Sequence, residues 1–388
     1  MSHVALALLV FAVLAVAVAA WHTRVSRTAP ASKGAPPPTK GSPDAVALHE
    51  IRGDNPCLAV RAKLGAHDTV FCIDTGFAGP CLLSMPTLAL ERSAPAPSRD
   101  VGGWCDHLQA QLLRKRTSAR QREEALQDFL ARTKGSDFTA GCTMRLASIG
   151  ATEEQTSEIL LTPPLELQTV GGGWTSPRAQ GGQPVAEILT STPMATMHLL
   201  TCDWLVQNGP SLLCPHEGVL RTHLTPAELA AERASMRRIS SELRGGSFVA
   251  VVHVDGVPLR VTVDTGAACY LSVGAQAARK LSKSCRATGR TMRQVGANGE
   301  RICSHAVLCS VSLGGAEGDS SVPVLVNDAE MDGEDGYVGV CLLRHYDLCV
   351  LRSELLARRN AAPFDAGMLD GVLSERDCGS KPPECVGD

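Results

Sequence analysis

The tripeptide Asp-Thr-Gly occurs twice in this chain, at Asp74-Thr75-Gly76 and at Asp264-Thr265-Gly266. Each copy closes an apolar run, Val70-Phe71-Cys72-Ile73 before the first and Val261-Thr262-Val263 before the second. Upstream, Glu50-Ile51-Arg52-Gly53 recurs as Glu242-Leu243-Arg244-Gly245. Downstream, Leu82-Leu83-Ser84 is echoed by Tyr270-Leu271-Ser272, and Thr143-Met144-Arg145 with Gly150-Ala151 by Thr291-Met292-Arg293 with Gly296-Ala297. A turn at a strand end favours Asp and Gly, but it does not demand one tripeptide at the same place in two copies. The chain therefore reads as two related halves, each carrying one aspartate at an equivalent position.

The length suits that reading, because 388 residues exceed what a single hydrophobic core usually organises. Only 4% of residues are aromatic, while 36 are Gly and 23 are Pro, a balance that fits short strands and tight turns better than a helical bundle. The expected fold is mostly β, two barrel-like lobes in tandem with a helical insertion in the first. The lobes are placed at 46–222 and 241–359, joined by a helical linker at 223–240. That linker opens on Thr225-Pro226-Ala227-Glu228, a capping-box pattern with Pro at the first helical position, and leads into a helix over 229–238. Between its Asp-Thr-Gly and its Thr-Met-Arg the first half is about forty residues longer than the second. This insertion, at about 100–140, reads as helix over 118–134, with Leu126, Phe129 and Leu130 at helical spacing. Its basic residues, Arg114, Lys115, Arg116, Arg120 and Arg122, read as a solvated face.

Residues 1–27 form an N-terminal hydrophobic anchor or signal segment. Residues 4–20 are uncharged and apolar, short for a spanning helix and ending in small residues that also suit signal cleavage. Arg24, Arg27 and Lys33 follow the run and no Lys or Arg precedes it, the reverse of a secretory leader, which favours a retained single-pass anchor over secretion after cleavage. A Pro-rich linker at 28–45 and a Gly-, Pro- and Asp-containing tail at 360–388, read as disordered, flank the folded body.

A formal net charge of −3 with scattered signs argues against a nucleic-acid partner. The 15 cysteines are odd in number and lack the CxxC spacing of zinc or redox sites; Cys72, Cys269 and Cys309 lie inside apolar runs, where a thiol acts as a small hydrophobe. Cys303, His305 and Cys309 could be drawn as a metal cluster, but a strand face accounts for them and no metal is assigned.

The chemistry gives the repeated tripeptide a purpose. Hydrolysis of a peptide by water needs one group to take a proton and another to give one, and a carboxylate beside a carboxylic acid supplies both without a cofactor. Two adjoining aspartates cannot both ionise cheaply, so Asp74 and Asp264 would share a proton. Gly76 and Gly266 would let the backbone turn closely past the carboxylates, while Thr75 and Thr265 offer hydroxyls to bond across the lobe interface.

These segments, Asp74-Thr75-Gly76-Phe77-Ala78-Gly79 and Asp264-Thr265-Gly266-Ala267-Ala268, resemble the active-site loops of retropepsin-like aspartic peptidases. The resemblance covers most of 46–359 and implies the fused, two-lobed arrangement of pepsin: a monomer forming an intramolecular pseudo-dimer that acts on polypeptide substrates. It implies a Gly-bearing apolar segment late in each lobe, matched by Val338-Gly339-Val340 in the second and only by Leu200-Thr201-Cys202 in the first. It also implies flap turns, placed at 148–152 and 295–300; neither contains the tyrosine of pepsin-like flaps, which favours the retropepsin branch. Two alternatives remain. The fold could serve as a catalytically weak protein-interaction module, or whole chains could pair through their second lobes.

Overall fold

The computed structural model describes residues 45–51, 56–77, 79, 81–92, 100–114, 118–133, 145–147, 156–161, 165–177, 185–189, 197–281, 286–295, 301–314, 319–327 and 334–360. The apolar N-terminal run, the Pro-rich linker, the tail beyond 360 and both flap turns, apart from Val295, lie outside these residues. Among the described residues no helix is long and apolar enough to cross a membrane.

The second lobe is mostly β. Strands Ser247–Val254, Val257–Asp264, Gly336–Gly339, Leu271–Val273, Asp319–Asn327 and Arg301–Leu313 are hydrogen-bonded in that order. Val252, His253 and Val254 then pair with Leu313, Ser312 and Val311, which closes the sheet into a barrel. Alternation along Val257–Asp264 places Leu259, Val261 and Val263 inside and Arg260 outside, the period-two pattern of a strand with one buried face. Arg286–Val295 adds a further strand, antiparallel to Arg301–Leu313 with Val295 opposite Arg301.

The first lobe repeats this pairing scheme. His67–Asp74 lies antiparallel to Cys57–Leu64 and parallel to His198–Thr201, as Val257–Asp264 lies between Ser247–Val254 and Gly336–Gly339. Leu165–Gln168 returns onto Cys57–Leu64, with Ala62 opposite Leu167, where the end of Arg301–Leu313 returns in the other lobe. Two helices are added here. Ala119–Thr133 buries Ala125, Leu126 and Phe129 near the helix Met85–Glu91, as its periodicity requires. Val101–Arg114 buries Val101, Trp104, Cys105 and Leu108 on the outer face of the first two barrel strands. The sequence reading missed this second helix, because Gly102-Gly103 in its first turn reads as a loop signal.

A third sheet joins the lobes. Its order is Val46–Ala47, Val219–Arg221, Ser211–Cys214, Tyr346–Val350, Leu355–Arg359 and Arg237–Ile239, so three strands of the first half continue into two of the second, joined between Ser211–Cys214 and Tyr346–Val350. The connecting helix runs Pro226–Ser235, with the Thr225 hydroxyl accepting from the Glu228 amide and the Glu228 carboxylate accepting from the Thr225 amide. It ends earlier than the 229–238 helix read from sequence. Met236 turns extended, and Arg237–Ile239 becomes a strand pairing with Ala357, Leu356 and Leu355, because that burial of Ile239 outweighs another helical turn.

Candidate active site

Asp74 and Asp264 are the last residues of equivalent strands, and the barrels meet so that the two loops face one another. Each loop is tied to the other lobe. The Thr75 hydroxyl donates to the Val263 carbonyl at 2.7 Å and accepts from the Thr265 amide at 3.0 Å. The Thr265 hydroxyl donates to the Ile73 carbonyl at 2.7 Å and accepts from the Thr75 amide at 3.1 Å. Both threonines are buried, so these four bonds satisfy backbone groups that water does not reach.

The glycines permit the approach. A methyl group on Gly266 would lie 2.5 Å from the Asp74 Cγ, and one on Gly76 would overlap the Asp264 carboxyl in the same way. Each carboxylate therefore rests against the opposite loop's backbone. Asp74 Oδ1 accepts from the Gly76 and Phe77 amides, both at 3.0 Å, and Asp264 Oδ1 accepts from Gly266 at 2.8 Å and Ala267 at 3.1 Å.

Burial raises Asp74 well above the usual carboxylate range, the adjoining Asp264 charge and hydrogen bond raise it further, and the Gly76 and Phe77 amides only partly oppose this. Burial also raises Asp264, against the hydrogen bond from Asp74 and the amides of Gly266, Ala267 and Gly76. Burial drives both groups upward, and the bond between the carboxyls raises Asp74 while it lowers Asp264, an arrangement in which one proton can be shared. Such a proton belongs to the dyad rather than to either residue. All six residues singled out in the sequence, Asp74, Thr75, Gly76, Asp264, Thr265 and Gly266, are thus found together.

The two halves differ behind the loops. Gly339 lies opposite Asp264, and Thr201 lies opposite Asp74 at the matching position. A Cβ on Gly339 would collide with the Ala267 and Cys269 carbonyls, so glycine is required there. In the first lobe the loop stands off far enough for Thr201, whose hydroxyl donates to the Gly79 carbonyl at 2.5 Å, while Asp203 accepts from the Gly79 amide at 2.8 Å. What looks in sequence like a decayed motif is a different brace for the same loop. Ser247 adds a bond across the interface, donating to the Gly76 carbonyl at 2.9 Å. Sequence reasoning missed Ser247 and Asp203, since neither stands in a motif.

It also missed a buried polar cluster under the first barrel. Glu91 Oε2 lies 2.9 Å from His67 Nε2 and 3.2 Å from His198 Nε2, and its other oxygen accepts from the Thr69 hydroxyl at 2.5 Å. Two histidines and a carboxylate this close are a possible ligand set, but proton accounting argues against a metal. The Ser84 amide donates to His198 Nδ1 at 3.0 Å, so that nitrogen keeps its lone pair and the ring proton sits on Nε2, aimed at Glu91. A metal would need the Nε2 lone pair and leave the ring with no proton at all. The cluster is instead a hydrogen-bonded network around one carboxylate: burial pushes Glu91 up, but the flanking His198 and then His67 hold it down at about 2.

A family model described as aspartyl protease matches residues 250–342. The match takes in Asp264-Thr265-Gly266 and the Gly339 segment, and leaves the first lobe outside. No curated protein matches the chain. Among solved structures, a retropepsin-like aspartic protease from Rickettsia conorii is similar at 21% identity, covering 31% of this chain and 89% of its own, with a TM-score of 0.26.

Proposed function

We propose that this chain is an aspartic-type endopeptidase in which Asp74 and Asp264, one from each lobe, activate water against a peptide bond. The observation that carries this reading is the mutual fit of the two loops, each carboxyl lying against the other lobe's glycine within a frame of four threonine hydrogen bonds. That frame fixes the carboxyls before substrate arrives, which is what a shared-proton site requires. The ionised partner takes a proton from water as the oxygen attacks the carbonyl carbon, and the protonated partner gives its proton to the carbonyl oxygen. On collapse of the tetrahedral species the carboxyl that took the water proton gives it to the nitrogen, the C–N bond breaks, and the other carboxylate takes a proton from a diol hydroxyl, which restores the dyad. The family match over 250–342 supports the same chemistry. An extended polypeptide suits a cleft between two β lobes, where main-chain hydrogen bonds align it.

The proposal includes a monomeric enzyme held at a membrane by residues 4–20, with release after cleavage of that segment as the alternative. The test is cleavage of a diverse peptide mixture over a pH series by the native chain and by Asp264→Asn. A bell-shaped pH dependence in the native protein, abolished by the substitution, supports the dyad. A folded native protein that cleaves nothing at any pH would instead favour an interaction module.

A further inference from the structure

Beneath the helix Val101–Arg114 three thiols share one apolar pocket, which has no counterpart among the described residues of the second lobe. Cys57, Cys72 and Cys105 are 5%, 4% and 0% exposed, enclosed by Ile51, Val70, Trp104 and Leu108. The sulfurs of Cys57 and Cys72 lie 2.9 Å apart. The register explains this contact: Ala59 stands opposite Cys72, so Cys57 is the diagonal neighbour of Cys72 on the same sheet face, two residues along. In the second lobe Val249 stands opposite Thr262, so the corresponding pair is Ser247 and Thr262. There the serine reaches across to Gly76 and the two do not bond each other. The first lobe thus has facing thiols where the second has hydroxyls, and only in the first are they roofed by an inserted helix.

We propose that Cys57 and Cys72 are a redox-active dithiol that a hydroperoxide closes to a disulfide, cross-linking the strand that carries Asp74 to its neighbour. The covalent bond needs the sulfurs to close from 2.9 Å to about 2.0 Å and the two strands to draw together locally, since diagonal neighbours stand about 7–8 Å apart and a bridge holds its Cα atoms within about 6.8 Å. In the balanced reaction, one thiol sulfur attacks a peroxide oxygen, the O–O bond breaks, and water leaves as a sulfenic acid forms. The second sulfur attacks the sulfenic sulfur, the S–S bond forms as the S–O bond breaks, and a second water carries off the hydroxyl and the remaining proton. Two thiols are oxidised and one hydrogen peroxide is reduced. Hydrogen peroxide is close to water in size, so local opening of the covering helix is sufficient for entry. The hydrogen bond that the Cys72 thiol makes to Cys57, then burial, holds Cys72 protonated at neutral pH, so the reaction is slow there and quickens as pH rises. The site stands independently of the peptidase reading, since its evidence is the sulfur contact alone.

The experiment is a disulfide map of the full-length chain treated with hydrogen peroxide under native conditions, with residual thiols alkylated before non-reducing digestion. The expected result is a cross-linked peptide pair joining Cys57 to Cys72, released by dithiothreitol, formed faster at pH 9 than at pH 7, lost in Cys57→Ser and retained in Cys105→Ser. The wild-type map decides the matter even where a variant does not fold. Recovery of Cys57 and Cys72 as separately alkylated or singly over-oxidised residues, or a link from either one to Cys105, would overturn the proposal.

Discussion

Replacing Thr265 by valine removes one hydroxyl at nearly constant volume and leaves two buried backbone groups without partners. The Ile73 carbonyl loses its donor at 2.7 Å and the Thr75 amide loses its acceptor at 3.1 Å. Thr265 is fully buried, so water does not replace either bond. Each orphaned group costs about 1–3 kcal/mol, which sums to about 4 kcal/mol of folding stability. Thr75→Val orphans the Val263 carbonyl and the Thr265 amide and carries a similar cost. Thr265→Ser keeps the oxygen and restores most of the loss, apart from about 1 kcal/mol for the missing methyl. Urea unfolding of the three variants, with slopes compared to confirm a like transition, measures these differences. A loss below about 1 kcal/mol in Thr265→Val would refute the reasoning, because it would mean the two backbone groups do not depend on the hydroxyl.

Three other expectations follow from the same geometry. Gly266→Ala places a methyl 2.5 Å from the Asp74 Cγ, so the carboxyl must move; kcat/KM on a cleaved peptide should fall about 100-fold or more with the chain still folded. Asp264→Asn should raise thermal stability at pH 7 while abolishing cleavage. The folded carboxyl titrates above its unfolded value, so its stabilising protonated form is full at acid pH and lost as pH rises, and the variant's advantage should shrink toward pH 3. Glu91 has the opposite sign. Held at about 2 against an ordinary 4.5, it contributes about 3 kcal/mol that is complete above 4.5 and lost as pH falls toward 2. Glu91→Gln should therefore destabilise the protein at pH 7 by that order, with a smaller difference at pH 3, measured by thermal unfolding at both.

The aspartates, threonines and glycines were legible in sequence because the chemistry is concentrated in one tripeptide and its repetition marks it. The β character was legible for a similar local reason, since runs such as Val261-Thr262-Val263 carry strand patterning in themselves. Pairings across hundreds of residues were not. Ser211–Cys214 reads as a short apolar segment of the first half, and nothing nearby announces that its partner is Tyr346–Val350. The brace formed by Thr201 and Asp203 was misjudged because a missing glycine reads as decay until the position of Gly79 is known. Glu91, His67 and His198 escaped notice because they are separated by 24 and 107 residues and meet only after the barrel forms. Cys72 reads in sequence as an ordinary core thiol, because its contact with Cys57 depends on strand register, which composition does not encode.

The proposed dyad draws both aspartates from one chain, which is tested by comparing peptide cleavage by Asp74→Asn alone, Asp264→Asn alone and an equimolar mixture of the two. Each variant should be inactive, the mixture should be inactive as well, and the native protein should cleave while sedimenting as a monomer. Full activity in Asp74→Asn, or recovery of activity on mixing, would contradict the one-chain dyad and show that the working dyad forms between second lobes or between separate chains.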